Sequence, residues 1–147
     1  MTSKTILLAE DNPSDIELTK RALERSHVAN TLVVAEDGPQ ALDYLFCTGS
    51  FSSRNPCELP ALVLLDLKLP KLDGFAVLRR LRGDERTRRL PVVVLTSSAE
   101  ERDVASCYDL GVNSYIRKPV DFDQFAAAIR QLGLYWLILN EPPPAGA

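Results

Sequence analysis

The 147-residue chain predicts one doubly wound α/β domain, with a five-stranded parallel sheet and helices on both faces. Short apolar runs alternate with helical periods five times along it, and the central runs lack the polar alternation of a half-exposed strand. No repeat or linker divides the chain, and its length suits a single core. Residues 1–147 are therefore expected to form one domain, with a core over about 5–139, a Pro-rich tail over 140–147 and no output domain.

Thr5–Ala9 reads as the first buried strand. Asn12 suits a helix cap and Pro13 a first turn, and Ile16, Thr19, Ala22 and Leu23 supply a narrow inward face. Leu32–Ala35 is the second strand. Asp37-Gly38 makes a turn before the stripe Ala41, Leu42, Leu45 and Phe46. Residues 48–60, rich in Ser, Pro, Asn and Gly, form a loop long enough to suggest a role of its own. Leu62–Leu65 is the third strand, and a tight connection from Leu69-Pro70 to Asp73-Gly74 leads to the helical face of Phe75, Leu78 and Leu81. Val92–Leu95 is the fourth strand. Ser97 or Ser98 is expected to cap the next helix, which Gly111 ends. Tyr115-Ile116 is the fifth strand, broken by Pro119. Phe122, Phe125, Ala126, Ile129 and Leu132 mark a last helix reaching about Leu139, and Pro142-Pro143-Pro144 cannot continue it.

Composition excludes several classes. Hydrophobic content of 46%, charged content of 25% and a net charge of −3 describe an ordinary soluble domain and argue against general nucleic-acid binding. No apolar stretch approaches the roughly 20 residues of a membrane span, and the start lacks a secretory apolar segment, so a cytoplasmic location is expected. Cys47, Cys57 and Cys107 are scattered and one histidine, His27, is present, which makes no zinc set and suggests reduced thiols. The arginines between Arg79 and Arg89 read as a solvated helix end and loop before they read as a docking patch.

The carboxyl ends of parallel strands converge on one sheet edge, where ligands of open α/β sheets sit. Here that edge collects Glu10, Asp11 and Asp66, the hydroxyl of Thr96 and the ammonium of Lys118. Three clustered carboxylates repel unless a hard cation joins them, and Mg²⁺ is the usual one that pairs such groups with phosphate. The ammonium and hydroxyl then face phosphoryl oxygens, which makes a site for a phosphorylated carboxylate.

Four segments carry a family resemblance: Ile6 to Asn12, Leu64 to Pro70 with Asp73-Gly74, Val94 to Ser97, and Lys118-Pro119. In that order they resemble the response-regulator receiver domain of two-component signalling. The resemblance implies the flavodoxin-like receiver fold with strand order 2-1-3-4-5. It also implies phosphorylation of Asp66 by a histidine kinase, and Mg²⁺ held by Glu10, Asp11, Asp66 and the backbone carbonyl of Lys68. It further implies a switch through Thr96 and Tyr115, a phosphoryl contact from Lys118, and a cis bond before Pro119. Glu10 replaces the more frequent aspartate and keeps its charge. Ala41 to Phe46, the long loop and Tyr135-Trp136-Leu137 are similar more narrowly to stand-alone regulators paired with bacterial phytochrome kinases.

Singly, each residue has a plainer reading. Glu10, Asp11 and Asp66 suit turns, Thr96 a cap and Lys118 a solvated loop; their joint placement at one edge decides for the site. Tyr115 is balanced between switch and half-buried packing. Lys68 reads first as solvated, and second as a screen over the phosphoryl group. Catalysis at Asp66 rests on positioning and charge neutralisation, so the chain is expected to be a phosphoacceptor module and not an enzyme. Two alternatives are an aspartyl-phosphate-forming phosphatase, which needs a second acid where Lys68 stands, and a phosphorylation-independent structural module. A flavin carrier fits poorly, since Glu10-Asp11 repels phosphate in the first loop.

In the last helix, Phe125, Ile129, Leu132 and Trp136 fall on one side, toward the sheet. Leu134 and Ile138 share another stripe, with Tyr135 beside it. That uncovered stripe is expected to form a two-fold homodimer contact; a helix folding back on its own domain is the plainer reading.

Overall fold

The computed structural model describes residues 4–25, 30–55, 58–97, 100–118 and 121–134. Five strands, β1 (Lys4–Ala9), β2 (Asn30–Ala35), β3 (Leu62–Leu65), β4 (Val92–Thr96) and β5 (Ser114–Arg117), form one parallel sheet in the order β2-β1-β3-β4-β5. Helices α1 (Pro13–Arg25), α2 (Gly38–Phe46), α3 (Gly74–Arg82), α4 (Glu101–Asp109) and α5 (Phe122–Leu134) connect or follow them. The expected order and the expected fold class are both present.

The side-chain period of two sorts the central strands onto two faces. Leu7, Ala9, Val63, Leu65, Val92 and Val94 pack with Ala41 and Leu45 of α2, Val77, Leu78 and Leu81 of α3, and Cys107 of α4. Ile6, Leu8, Leu62, Leu64, Val93 and Leu95 pack with Ala22 and Leu23 of α1 and with Phe125 and Ile129 of α5. Every residue of β3 and β4 is buried, as an apolar run without alternation requires.

Local chemistry sets the helix starts. Asn12 Oδ1 accepts from the N–H groups of Ser14 (2.9 Å) and Asp15 (3.2 Å), so it caps α1 as expected. Asp37-Gly38 is less a turn than a helix start: Asp37 Oδ1 accepts from Gln40 N–H at 2.8 Å, and α2 begins at Gly38. A Cβ at Gly38 would lie 2.2 Å from the Leu72 carbonyl oxygen, so only glycine lets α2 seat against the β3–α3 connection. The cap of α4 departs from expectation. Its cap position is Glu100, which makes no side-chain cap bond, because the helix begins later than the serine pattern suggests.

The long loop is folded back onto α2. It contains a 3₁₀ turn at Gly49–Phe51, and the Phe51 ring meets Tyr44 edge-on at 5.1 Å. Arg54 lies over the same tyrosine ring at 4.0 Å and donates to the carbonyls of Tyr44 and Glu58. In the arginine run Arg79, Arg80, Arg86, Arg88 and Arg89 are exposed, as the solvated reading expects, and Arg82 is partly buried. Arg80 and Arg86 lie over Phe46 at 4.9 and 5.0 Å. Arg82 donates to four carbonyls: Leu110 (2.7 Å), Leu90 (2.8 Å), Gly111 (2.8 Å) and Arg88 (2.9 Å). One guanidinium thereby ties the end of α3 to the turn before β4 and to the end of α4.

Among the described residues no helix is long and apolar enough to cross a membrane. Tyr135 and Ile138 lie outside the described residues, as does the side chain of Leu134; His27, Ser98 and Pro119, with its expected cis bond, lie outside them too.

Removing the Arg82 fork leaves several carbonyls without their donors. Arg82→Met should lower stability by about 2–3 kcal/mol, measured by urea unfolding. Arg82→Lys should recover less than half of that loss, because an ammonium cannot reproduce the planar fork.

Candidate phosphoacceptor site

Strand register assembles the site. Ala9 of β1 pairs with Ala35 of β2 and with Leu65 of β3, so the next residue of each ladder stands at one level. Two backbone bonds carry the pattern one step past the strand ends: Glu10 N–H to the Ala35 carbonyl (2.9 Å) and Asp66 N–H to the Ala9 carbonyl (3.0 Å). Glu10 and Asp66 are thus laid side by side. Both are buried, at 1% and 7% exposure, whereas Asp11 is exposed. Each of the three supplies a carboxylate oxygen within 4.8 Å of the others.

Lys118 follows the end of β5, and its N–H donates to the Thr96 carbonyl at 2.7 Å, which brings it in from the far side of the sheet. Its ammonium donates to Glu10 Oε1 and to Asp15 Oδ2 (2.7 Å), with Asp66 Oδ2 at 3.5 Å. Burial pushes the Glu10 carboxyl up to about 7 against the bond from Lys118, and the neighbouring Asp66 charge adds to the rise. Burial works to lower the Lys118 ammonium, but the bonds to Asp15 and Glu10 outweigh it and hold its pKa above the ordinary value.

The rear wall is equally constrained. Lys68 N–H donates to Asp66 Oδ1 at 3.2 Å, orienting the carboxylate. Asp73 caps α3 through the Ala76 N–H at 2.9 Å, and Gly74 follows. A Cβ at Gly74 would lie 2.3 Å from the Asp66 carbonyl oxygen and 2.6 Å from Leu67 Cα, so glycine is required for α3 to start directly behind the aspartate.

The cleft in front measures about 480 Å³, and Asp11, Lys68 and Ser97 stand at its wall beside Glu10, Asp66 and Lys118. The sequence brings together five of its expected residues here: Glu10, Asp11, Asp66, Lys68 and Lys118. Thr96 ends β4 but is fully buried, and the exposed Ser97 just after it lines the cleft. Tyr115 is half-buried and packs against the core on the α2–α3–α4 face, away from the cleft wall. Asp15 was not anticipated. Its signal was present as an acid one helical turn after Asp11, but an acid in a first turn ordinarily reads as a complement to the helix dipole.

Three carboxylate oxygens, two of them on buried residues, fit a hard divalent cation. They can accept it while Lys118 remains available to an anion in the same cleft.

Comparison with known proteins agrees with this geometry. The family model described as the response regulator receiver domain matches residues 6–130. The response regulator Rcp1 of Synechocystis sp. (strain ATCC 27184 / PCC 6803 / Kazusa) is 36% identical over 134 residues, covering 91% of this chain and 89% of that protein. A solved Mn(2+)-bound form of response regulator Rcp1 has a TM-score of 0.85 at 35% identity, over 96% of this chain and 99% of that one. The phosphorylated cyanobacterial phytochrome response regulator RcpA gives 0.87 at 38% identity, over 97% and 100%. The bacteriophytochrome response regulator RtBRR gives 0.79 at 55% identity, over 97% and 86%.

A divalent cation that binds this cluster should stabilise the fold by about 2.7 kcal/mol at roughly 100 times its dissociation constant. Asp11→Asn and Asp66→Asn should each reduce that gain in a thermal-shift titration. Equal gains in the wild type and both variants would place the cation elsewhere.

Proposed function

The chain belongs to the response-regulator receiver family, and from that premise we propose that Asp66 accepts a phosphoryl group from a histidine kinase and signals through protein contacts. The observation that carries this reading is the buried Asp66 carboxylate at the end of β3, flanked by Glu10 and Asp11 and approached by Lys118 at 3.5 Å.

An Asp66 oxygen forms the new bond to phosphorus as the bond from phosphorus to the donor histidine nitrogen breaks, and the nitrogen leaves with its electron pair. The Lys68 N–H holds one Asp66 oxygen, which leaves the other, on the Lys118 side, to attack. Lys118 offers an ammonium to the transferred group, and such positioning and charge neutralisation make up most of the catalysis in phosphoryl transfer. We assign Mg²⁺ to Glu10, Asp11, Asp66 and the Lys68 carbonyl; when bound it supplies positive charge to the phosphoryl oxygens.

Thr96 and Tyr115 are the proposed switch. A buried hydroxyl at the end of β4 and a half-buried tyrosine on β5 have different packings open to them once a phosphoryl group draws the hydroxyl inward. The likeness to phytochrome response regulators supports a bacteriophytochrome-type kinase as the partner and light as the input. The reading includes a cytoplasmic location, where a kinase would meet it and where the free Cys47 and Cys107 stay reduced. It also includes a homodimer through the apolar run Leu134 to Leu139, in which Leu134, Tyr135 and Ile138 form the contact.

Two outcomes follow. Asp66→Asn should abolish labelling by acetyl phosphate and leave the fold intact, read by mass spectrometry and circular dichroism; full labelling elsewhere in the variant would sink the assignment. Leu134→Glu combined with Ile138→Glu should convert a dimer into a folded monomer that still takes up a phosphoryl group. Sedimentation at tens of micromolar decides it, and a monomeric wild type or a dimeric variant would refute the contact.

A further inference from the structure

Asp15 is a charged group at the cleft wall that the phosphoacceptor chemistry does not use. It lies in the first turn of α1, where an acid complements the helix dipole. Its side chain does more than face water. It is only 28% exposed, and Oδ2 is 2.7 Å from the Nζ of Lys118, 103 positions along the chain.

The backbone of Asp15 is held at both ends. Its N–H donates to Asn12 Oδ1 at 3.2 Å, and its carbonyl accepts from Thr19 Oγ1 at 2.8 Å. The carboxylate therefore has a fixed base from which to hold the lysine. An ammonium has three donors. Glu10 and Asp15 take two at short range, while Asp66 stands at the long limit of 3.5 Å. Lys118 thus leans toward α1 and away from the aspartate it is meant to serve.

We propose that Asp15 is a positioning residue that parks the Lys118 ammonium on the α1 side of the cleft and competes for it with a phosphoryl group on Asp66. The inference rests on the phosphoacceptor reading above. A phosphoryl group on Asp66 brings new oxygens to the place now reached only at 3.5 Å. Lys118 then moves a hydrogen bond from Asp15 to that group. The Asp15 pair is strongest in the unmodified protein, so it weakens the hold of the site on any phosphoryl donor. The same transfer releases a tie between α1 and the segment leading into α5, two helices that share one face of the sheet.

The test is acetyl phosphate labelling of the full chain with Mg²⁺, with the labelled residue located by mass spectrometry. The isosteric Asp15→Asn lowers the half-saturating donor concentration by about threefold or more, within the range for coupled contacting groups, and changes the limiting rate less. Asp15→Glu, which keeps the charge, falls between wild type and Asp15→Asn. In a Lys118→Ala background, Asp15→Asn changes nothing, because Asp15 acts only through the lysine. In the metal-free protein the ¹⁵N resonance of the Lys118 ammonium shifts on Asp15→Asn. An unchanged or raised half-saturating concentration, an equal effect without Lys118, or an unmoved ammonium resonance overturns the inference while label at Asp66 sustains the phosphoacceptor reading. A wild-type chain without label at Asp66 overturns both.

Discussion

The site depends on one electrostatic constraint: parallel register forces two buried carboxylates, Glu10 and Asp66, into adjacent places at the sheet edge. Two such charges about 5 Å apart repel by about 3 kcal/mol at an effective dielectric constant of about 20. Hydrophobic burial in β1 and β3 fixes the register, so the pair cannot separate without exposing Leu7, Leu8, Leu64 or Leu65. The repulsion has to be met with positive charge. Lys118 provides part of it, while burial first and the Asp66 charge after it still push the Glu10 carboxyl up to about 7. A site that is short of positive charge at rest is one that gains by taking up a cation.

The two ends of the sheet differ accordingly. At the far end from the cleft, Arg82 gathers four carbonyls from the segments around the C-termini of α3 and α4. At the cleft end, α4 begins at a cap position without a side-chain bond. The Glu100 carbonyl there accepts from the Asp103 and Val104 N–H groups at 3.0 and 3.1 Å.

Neighbouring loops show how little freedom the cleft itself has. Gly38 and Gly74 allow two helix starts to approach the β3–α3 connection more closely than any side chain permits. Lys71, at a positive φ of 67°, pairs with Asp37 at 3.3 Å and closes the same connection from outside. The backbone around Asp66 is therefore held by packing, and its carboxylate is oriented by the Lys68 N–H.

Much of this was legible along the chain. Apolar runs without alternation specify buried parallel strands, and polar residues at their ends specify the edge where Glu10, Asp11, Asp66 and Lys118 meet. Asn12, Asp73 and Gly74 announce their caps and turns because those effects are local, acting within a few residues. Two of the missed features are long-range. Asp15 reads as an ordinary first-turn acid until α1 and the end of β5 are brought together. Arg82 reads as one more member of a solvated run until it is seen to reach carbonyls up to 29 positions away, while Arg79, Arg80, Arg86, Arg88 and Arg89 are exposed as read. Whether Thr96 or Ser97 faces the cleft depends on the pleat at the last residue of β4, which periodicity within the strand leaves undecided. Sequence alone determined which groups stand at the strand ends, because hydrophobic periodicity sets strand limits. Tertiary structure decided which of them touch, because a contact at 2.7 Å depends on the docking of whole helices against the sheet.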